Sequence, residues 1–275
     1  MSDLESTRLS WNVATRNHNA HKGDQARFLR EGGDVLFAEE LALLGDVRGR
    51  RLAHLQCNAG QDTLCLARRG AIATGIDLSD EAITFARKLS VDSGIAANFE
   101  RSDVVAWMDR TDERFEIVFS SYGAVGWLPD IAAWARGIER ILSPGGRFVY
   151  VEFHPLVWSL DGTSLSKDDY FETRPFRSPV SDYVKESGTG LGAIELGPTV
   201  ENTISATSYQ YPVSTIITAL ARAGLRLERF EEYPHCNGCK LNTSLELDAD
   251  RRWKFPDGHT RVPMMFGIEF SKSAG

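Results

Sequence analysis

RLAHLQCNAGQDTLCLARRGAIATGID, Arg51 to Asp77, decides the fold. A short apolar run, Arg51 to Cys57, passes through Gly60 into TLCLARRGA, where Leu64, Leu66 and Ala67 suit a helix and Gly70 marks its stop. The next run, AIATGID, is again short and apolar and ends on Asp77. A strand, a turn, a helix and a second strand in this order make the repeating unit of a parallel sheet, since parallel neighbours need a crossover between them.

The alternation continues outward. Ser79 is placed to cap SDEAITFARKL, whose Ile83, Phe85 and Ala86 supply a buried side. A short strand around Asn98 and Phe99, a helix carrying Val105 and Trp107, and the strand FEIVFSS (Phe115 to Ser121) follow. IAAWARGIERIL then stops at SPGG (Ser143 to Gly146), and RFVYVEF begins a fifth strand. These elements predict an α/β fold with a mostly parallel central sheet flanked by helices, binding ligand beyond the carboxyl ends of its strands. The polar stretch 156–208 is too long for an ordinary loop and reads as an insert or lid. A helix at VSTIITALARAG and strands at LRLERFEEY and PMMFGIEF close the chain, while residues 1–48, with Phe28, Leu29, Leu36, Phe37, Leu41 and Leu44, read as an N-terminal helical cap. The expected plan is one domain over 1–275: cap 1–48, core 49–155, insert 156–208, and closing helix and strands 209–275.

Composition narrows the function. The 275 residues carry 31 basic and 38 acidic side chains, a formal charge of -7. That is the wrong sign for neutralising nucleic-acid phosphates. No apolar run approaches the ~20 residues of a membrane span, and MSDLESTRLSW lacks the apolar core of a signal peptide, so a cytoplasmic protein with a small-molecule partner is expected. Oligomeric state is not legible. Cys57, Cys65, Cys236 and Cys239 are too few for a disulfide scaffold. HCNGC (His235 to Cys239) holds a single CxxC, short of the four ligands of structural zinc, and reads as an Asn-Gly turn; no metal is expected.

The site is expected where HLQCNAGQD meets Asp77. A strand turning through small or polar residues into a helix leaves backbone N–H groups facing a ligand, and an acid ending the next strand can accept both hydroxyls of a ribose. Dinucleotides and S-adenosylmethionine share that arrangement. A pyrophosphate requires the close backbone approach of G-x-G-x-x-G, and this turn keeps only Gly60. Gln56 and Asn58 could instead meet the ammonium and carboxylate of an amino-acid tail. His54, inside an apolar strand, reads as a core histidine, and His259 as a solvated turn residue.

In these residues the chain resembles the class I S-adenosylmethionine-dependent methyltransferases, whose first motif usually runs D-x-G-x-G-x-G. Here it reads His54-Leu55-Gln56-Cys57-Asn58-Ala59-Gly60, departing at three positions. The resemblance implies a Rossmann-like sheet with an antiparallel C-terminal strand and S-adenosylmethionine as cofactor. It implies that Gln56, Asn58, Ala59, Gly60 and Asp62 line the first turn, that Asp77 and Leu78 meet ribose and adenine, that Asp103 and Val104 meet the adenine, and that Ser120 ends a strand facing the methyl donor. NAHKGDQARFLREGG, HLQCNAGQDTL, FSSYGAVGWLPD and VEFHPL are similar to a bacterial and fungal group of small-molecule methyltransferases that shares Gln56 and Asn58.

Methyl transfer to nitrogen or oxygen of a small molecule, in secondary metabolism, is the function expected. His18, His21 and His154 are candidate bases for an O–H acceptor, with Tyr122 beside them. Trp11, Tyr122, Trp127 and Phe153 are candidate walls of the acceptor chamber. Base methylation is disfavoured because Ser120-Ser121-Tyr122-Gly123 stands where an N-P-P-Y-like tetrapeptide would be. A nicotinamide-dependent oxidoreductase and a non-catalytic S-adenosylmethionine-binding protein remain as alternatives.

Overall fold

A computed structural model of the chain describes residues 1–166, 168–191 and 197–275. Helices α1 (Asp3–Ala20), α2 (Gln25–Arg30) and α3 (Ala38–Leu44) come first. The alternating core follows as β1 (Arg51–Leu55), α4 (Gln61–Arg68), β2 (Ile72–Asp77), α5 (Asp80–Ser93), β3 (Asn98–Arg101), α6 (Val104–Arg110), β4 (Phe115–Ser121), α7 (Ile131–Ile141) and β5 (Leu142–Phe153). The insert holds β6 (Leu160–Asp161), β7 (Ser164–Leu165), β8 (Phe176–Pro179), α8 (Tyr183–Ser187) and β9 (Ser205–Ser208). Helix α9 (Val213–Arg222) and strands β10 (Arg226–Tyr233), β11 (His235–Asn237), β12 (Glu246–Leu247), β13 (Arg252–Lys254) and β14 (Met265–Ser271) complete the chain.

The main sheet runs β10-β14-β5-β4-β1-β2-β3. Strands β1 to β5 are parallel, and β14 lies antiparallel between β5 and β10. Period-two alternation divides its side chains between two cores. Ala53, Leu55, Val118, Phe148 and Tyr150 face Trp107, Trp134, Ile138 and Leu220 of α6, α7 and α9. Leu52, Ala73, Ile117, Phe119 and Val149 face Leu43, Leu64, Ile83 and Ala86 of α3, α4 and α5. Helix starts follow cap chemistry: Ser79, Asp103 and Asp130 each accept a backbone N–H from the first turn that they precede.

Outside the alternating core, the structure adds what periodicity did not show. Trp11, Asn12 and His18 lie within the first cap helix, α1, which Ser2 caps. Its buried side consists of Thr7, Ser10, Val13, Ala14, Thr15, Asn17 and His18, too polar to display an apolar 3.6-residue period. The insert is built onto that helix. Strands β8 and β9 pair antiparallel, the Val180 N–H donates to Ser10 Oγ (3.1 Å), and the Thr207 N–H donates to Thr7 Oγ1 (3.1 Å). Lys167 and residues 192–196 of the expected lid lie outside the described residues. Finally, β11, β13 and β12 form a small sheet that the alternating pattern of the core did not announce.

Gly60 shows why this turn needs glycine. It starts α4 at φ +78°, and an added Cβ would stand 2.7 Å from Phe99 and 2.8 Å from Ala86. We expect Gly60→Ala to lower stability by roughly 2–4 kcal/mol, combining left-handed strain with overpacking, measured as a shifted urea midpoint at unchanged m-value.

Candidate active site

A cavity of about 900 Å³ opens over the carboxyl ends of β1, β2, β4 and β5. Its volume is at the upper end of the ~300–1,000 Å³ usual for small-molecule sites. Of the expected cofactor residues it gathers Gln56, Asn58, Asp62, Asp77, Leu78, Asp103 and Val104, and of the expected acceptor walls Trp11, Tyr122, Trp127 and Phe153. Ala59, Gly60 and Ser120 are not in its lining; Ala59 and Ser120 are buried behind it, and Gly60 turns its side-chain direction toward Phe99 and Ala86.

Asp77 ties two turns together. Its Oδ2 accepts the Asn58 N–H (2.9 Å) and its Oδ1 the Ser79 N–H (2.8 Å). Burial lifts its pKa to about 6, while the N–H groups of Ser79, Asn58 and Leu78 pull the other way. Gln56 and Asn58 take left-handed backbone at φ 54° and 48°, where glycines are commoner. Asn58 relieves its turn by accepting the Ala59 N–H on its own Oδ1 (2.7 Å). Gln56 donates from Nε2 to the Ala124 carbonyl (2.6 Å), which leaves its buried Oε1 without a partner. Asp103 both lines the cavity and caps α6 by accepting the Ala106 N–H (2.8 Å).

Several residues of the site went unread in the sequence. Glu152 is 4% exposed and accepts from the N–H groups of Gly123, Ala124 (2.9 Å) and Phe153 (2.8 Å) and from the Tyr150 hydroxyl (2.6 Å). It fixes the loop after β4, where Tyr122 sits at φ 35°. A lone acid inside the apolar run RFVYVEF was the available signal. Glu40, 1% exposed, joins Tyr122 by a side-chain hydrogen bond, and burial followed by the nearby Asp62 raises its pKa well above the usual carboxylate range. Burial also raises Asp62 and lowers Lys22 to about 8, and the mutual attraction of that pair opposes both shifts. Asn237, expected in a plain turn, is 2% exposed and lines the cavity; the turn falls on Gly238 at φ 66°.

The histidines stand apart. His18, His21 and His154 are buried and absent from the cavity lining. His18 Nε2 lies 3.0 Å from the Ser181 carbonyl, which can only accept, so that nitrogen carries the proton; burial lowers its pKa to about 4. Its ring rests 4.1 Å from that of Tyr183, which does line the cavity. His21 Nε2 meets Asp182 Oδ2 at 3.0 Å. His154 Nδ1 accepts the Leu156 N–H (3.2 Å) while Nε2 faces Glu232 (3.3 Å), an arrangement that uses both nitrogens. His54, by contrast, lines the cavity; it is buried, bonded to Thr63 (2.8 Å) and held neutral by burial. His259 is exposed in its turn. Among the described residues, no cluster of three or more His, Cys, Asp or Glu side chains could hold a metal.

Sheet order and cavity together define a class I methyltransferase fold. Residues 53–146 match the family model of the methyltransferase domain. Its sequence is 30% identical over 107 residues to the ubiquinone biosynthesis O-methyltransferase of Alkalilimnicola ehrlichii, covering 39% of this chain and 43% of that relative. The chain thus spans less than half the length of the curated relatives that it matches. Among solved structures, an S-adenosylmethionine-dependent methyltransferase of Mesorhizobium loti shares the fold at a TM-score of 0.52 and 22% identity, over 84% of this chain and 94% of that one. The magnesium protoporphyrin IX methyltransferase of Synechocystis PCC 6803, solved with bound SAH, does so at 0.53 and 15%, over 99% of this chain and 100% of that one.

The residues present fit S-adenosylmethionine. Asp77 is a carboxylate at a strand end, Leu78 and Val104 offer apolar surface, and Gln56 Oε1 is a buried acceptor still lacking a donor, suited to an ammonium.

Replacing Glu152 tests how this wall is held. Glu152→Gln would turn an amide NH₂ toward backbone N–H donors, so we expect a loss of roughly 2–4 kcal/mol in denaturant unfolding, with weakened cofactor binding in whatever fraction folds.

Proposed function

We propose that the chain transfers the methyl group of S-adenosylmethionine to an oxygen or nitrogen of a small-molecule acceptor, with oxygen favoured. The observation that carries this reading is the continuity of one cavity from Asp77 to the aromatic side chains Trp11, Tyr122, Trp127 and Phe153. A cofactor that reaches Asp77 leaves space in the same enclosure for a second reactant. The curated relatives, named as O-methyltransferases, support oxygen. The acidic composition supports a partner other than nucleic acid, and in this reading the chain works in the cytoplasm on a secondary metabolite.

When bound, the cofactor supplies a methyl group already activated on a sulfonium sulfur. The protein's tasks are then to bind, align and exclude water. In this reading Asp77 accepts the ribose hydroxyls, Leu78 and Val104 flank the adenine beside Asp103, Gln56 Oε1 takes the ammonium, and Asn58 and Asp62 shape the tail site. Ala59, Gly60 and Ser120 act through the backbone and packing behind them. Tyr122, whose phenol burial keeps protonated, orients the acceptor together with Phe153, Trp11 and Trp127. His18, His21 and His154 serve the same reaction from outside the lining: His18 and His21 by holding the insert to α1, and His154 by capping the turn after β5.

Calorimetry on the whole chain checks the cofactor. Asp77→Ala removes a charge-assisted hydrogen-bonded pair worth about 1.5–3 kcal/mol, so affinity is expected to fall roughly ten- to a hundredfold. Unchanged affinity in a folded variant, or tighter binding of NAD than of S-adenosylmethionine, overturns the reading.

The same residue gives affinity a pH dependence. With an Asp77 pKa of about 6, roughly a tenth is ionised at pH 5 and nine-tenths at pH 7. The ionised form is the better acceptor, so affinity should rise about tenfold between those pH values and then level off. Asp77→Asn should abolish the rise; a wild-type affinity flat across this range would separate Asp77 from the ligand.

A further inference from the structure

Asn237 ends β11 on the cavity wall, beside the residue that follows β4. Its Nδ2 donates to Glu39 Oε2 (3.0 Å) and to the Tyr122 hydroxyl (3.0 Å). A carboxylate such as Glu39, itself paired with Arg252 (2.6 Å) and His235 (3.0 Å), can only accept. The amide nitrogen must therefore face Glu39, and the orientation of the side chain is settled by its neighbours. Both N–H groups are used, and Oδ1 is a buried acceptor with no partner. Buried acceptors are seldom left this way in a folded protein, and this one belongs to a residue of the cavity lining.

The surroundings say what kind of ligand. The Tyr122 ring lies 5.4 Å from Phe153 at 33° and 6.4 Å from Phe37 edge-on, so flat apolar surfaces border the amide. Such walls accept a planar ring, and Oδ1 adds one directional demand at its edge. We propose that Asn237 is a specificity-determining residue: its Oδ1 accepts a hydrogen bond from an O–H or N–H on the ring of an aromatic acceptor and so orients that ring for methylation. This rests on the methyl-transfer reading above and names the substrate class of that site. A site built to receive a donor discriminates strongly against a similar molecule lacking it, because the buried acceptor then stays unpaired.

The test uses the whole chain saturated with S-adenosylhomocysteine and three probes of similar shape: catechol, 1,2-phenylenediamine and 1,2-dimethoxybenzene, the last without a donor. Tryptophan fluorescence should show catechol, the diamine or both binding at least about tenfold more tightly than the dimethoxy compound, and which of them leads separates O–H from N–H recognition. In Asn237→Leu, checked for folding by circular dichroism and for unchanged S-adenosylhomocysteine affinity, the preference should fall to near unity. Should that variant not fold, wild-type protein labelled at asparagine carbonyl carbon serves instead: the Asn237 signal should move with a donor-bearing probe and not with 1,2-dimethoxybenzene. Failure of every probe to bind, equal binding in the wild type, or a preference that survives in Asn237→Leu overturns the proposal while leaving methyl transfer standing. Failure of S-adenosylhomocysteine itself to bind overturns both.

Discussion

The bond from the Asn58 backbone to the Asp77 carboxylate is the contact on which the site depends. It joins the ends of two adjacent parallel strands, and it does so at residues whose conformations are otherwise unfavourable. Gln56 and Asn58 sit in left-handed backbone, which costs about 1–2 kcal/mol at a residue with a Cβ. Each recovers part of that through its own side chain, Asn58 to the Ala59 N–H and Gln56 to the Ala124 carbonyl. Replacing the glycines of the usual motif thus exchanges backbone freedom for side-chain hydrogen bonds, and one of those bonds reaches the loop after β4. The turn after β1 and the loop after β4 become one bonded unit.

A second buried acid holds the other half. Glu152 gathers the N–H groups that follow Tyr122, so the strained tyrosine is presented at a fixed place. Tyr122 then joins Glu40 on α3 and Asn237 on β11. Elements from the cap, the core and the closing region meet there at one phenol. Buried polar networks of this kind specify position more than they add stability, because every member that loses its partner becomes a liability.

How much of this could be read beforehand followed from where periodicity exists. The alternation from Arg51 to Phe153 has apolar strands and helices of ordinary length, and the sheet matches it element by element. Asp77, at the end of the second strand, was legible from position alone. The cap was half-read: the apolar positions of α3 were visible, while α1 buries a serine, two threonines and a histidine against the insert and shows no stripe. The insert and the small β11-β13-β12 sheet depend on pairings between segments far apart in sequence, which no local pattern encodes. The histidines drew attention because their chemistry is versatile, yet burial and fixed hydrogen bonds set them behind the wall. Asn237 was missed for the opposite reason, since an Asn-Gly pair reads as a turn whether or not its side chain is buried.

Charge completes the physical picture of the cavity. Asp62, Asp77, Glu40 and Glu152 all contribute to its lining, and burial raises the pKa of each. Lys22 and, more weakly, Arg251 oppose the charge of Asp62, and Lys22 is itself weakened by burial. A wall of desolvated acids resists anions and gains from any cation that restores the ionised form of an acid. Sulfonium and ammonium are cations of that kind, and a phosphate-bearing dinucleotide is the reverse. The electrostatics of the wall therefore reach the same choice of cofactor as the missing glycines do, by an independent route: the glycines argue from the space a pyrophosphate needs, the acids from the charge it would carry.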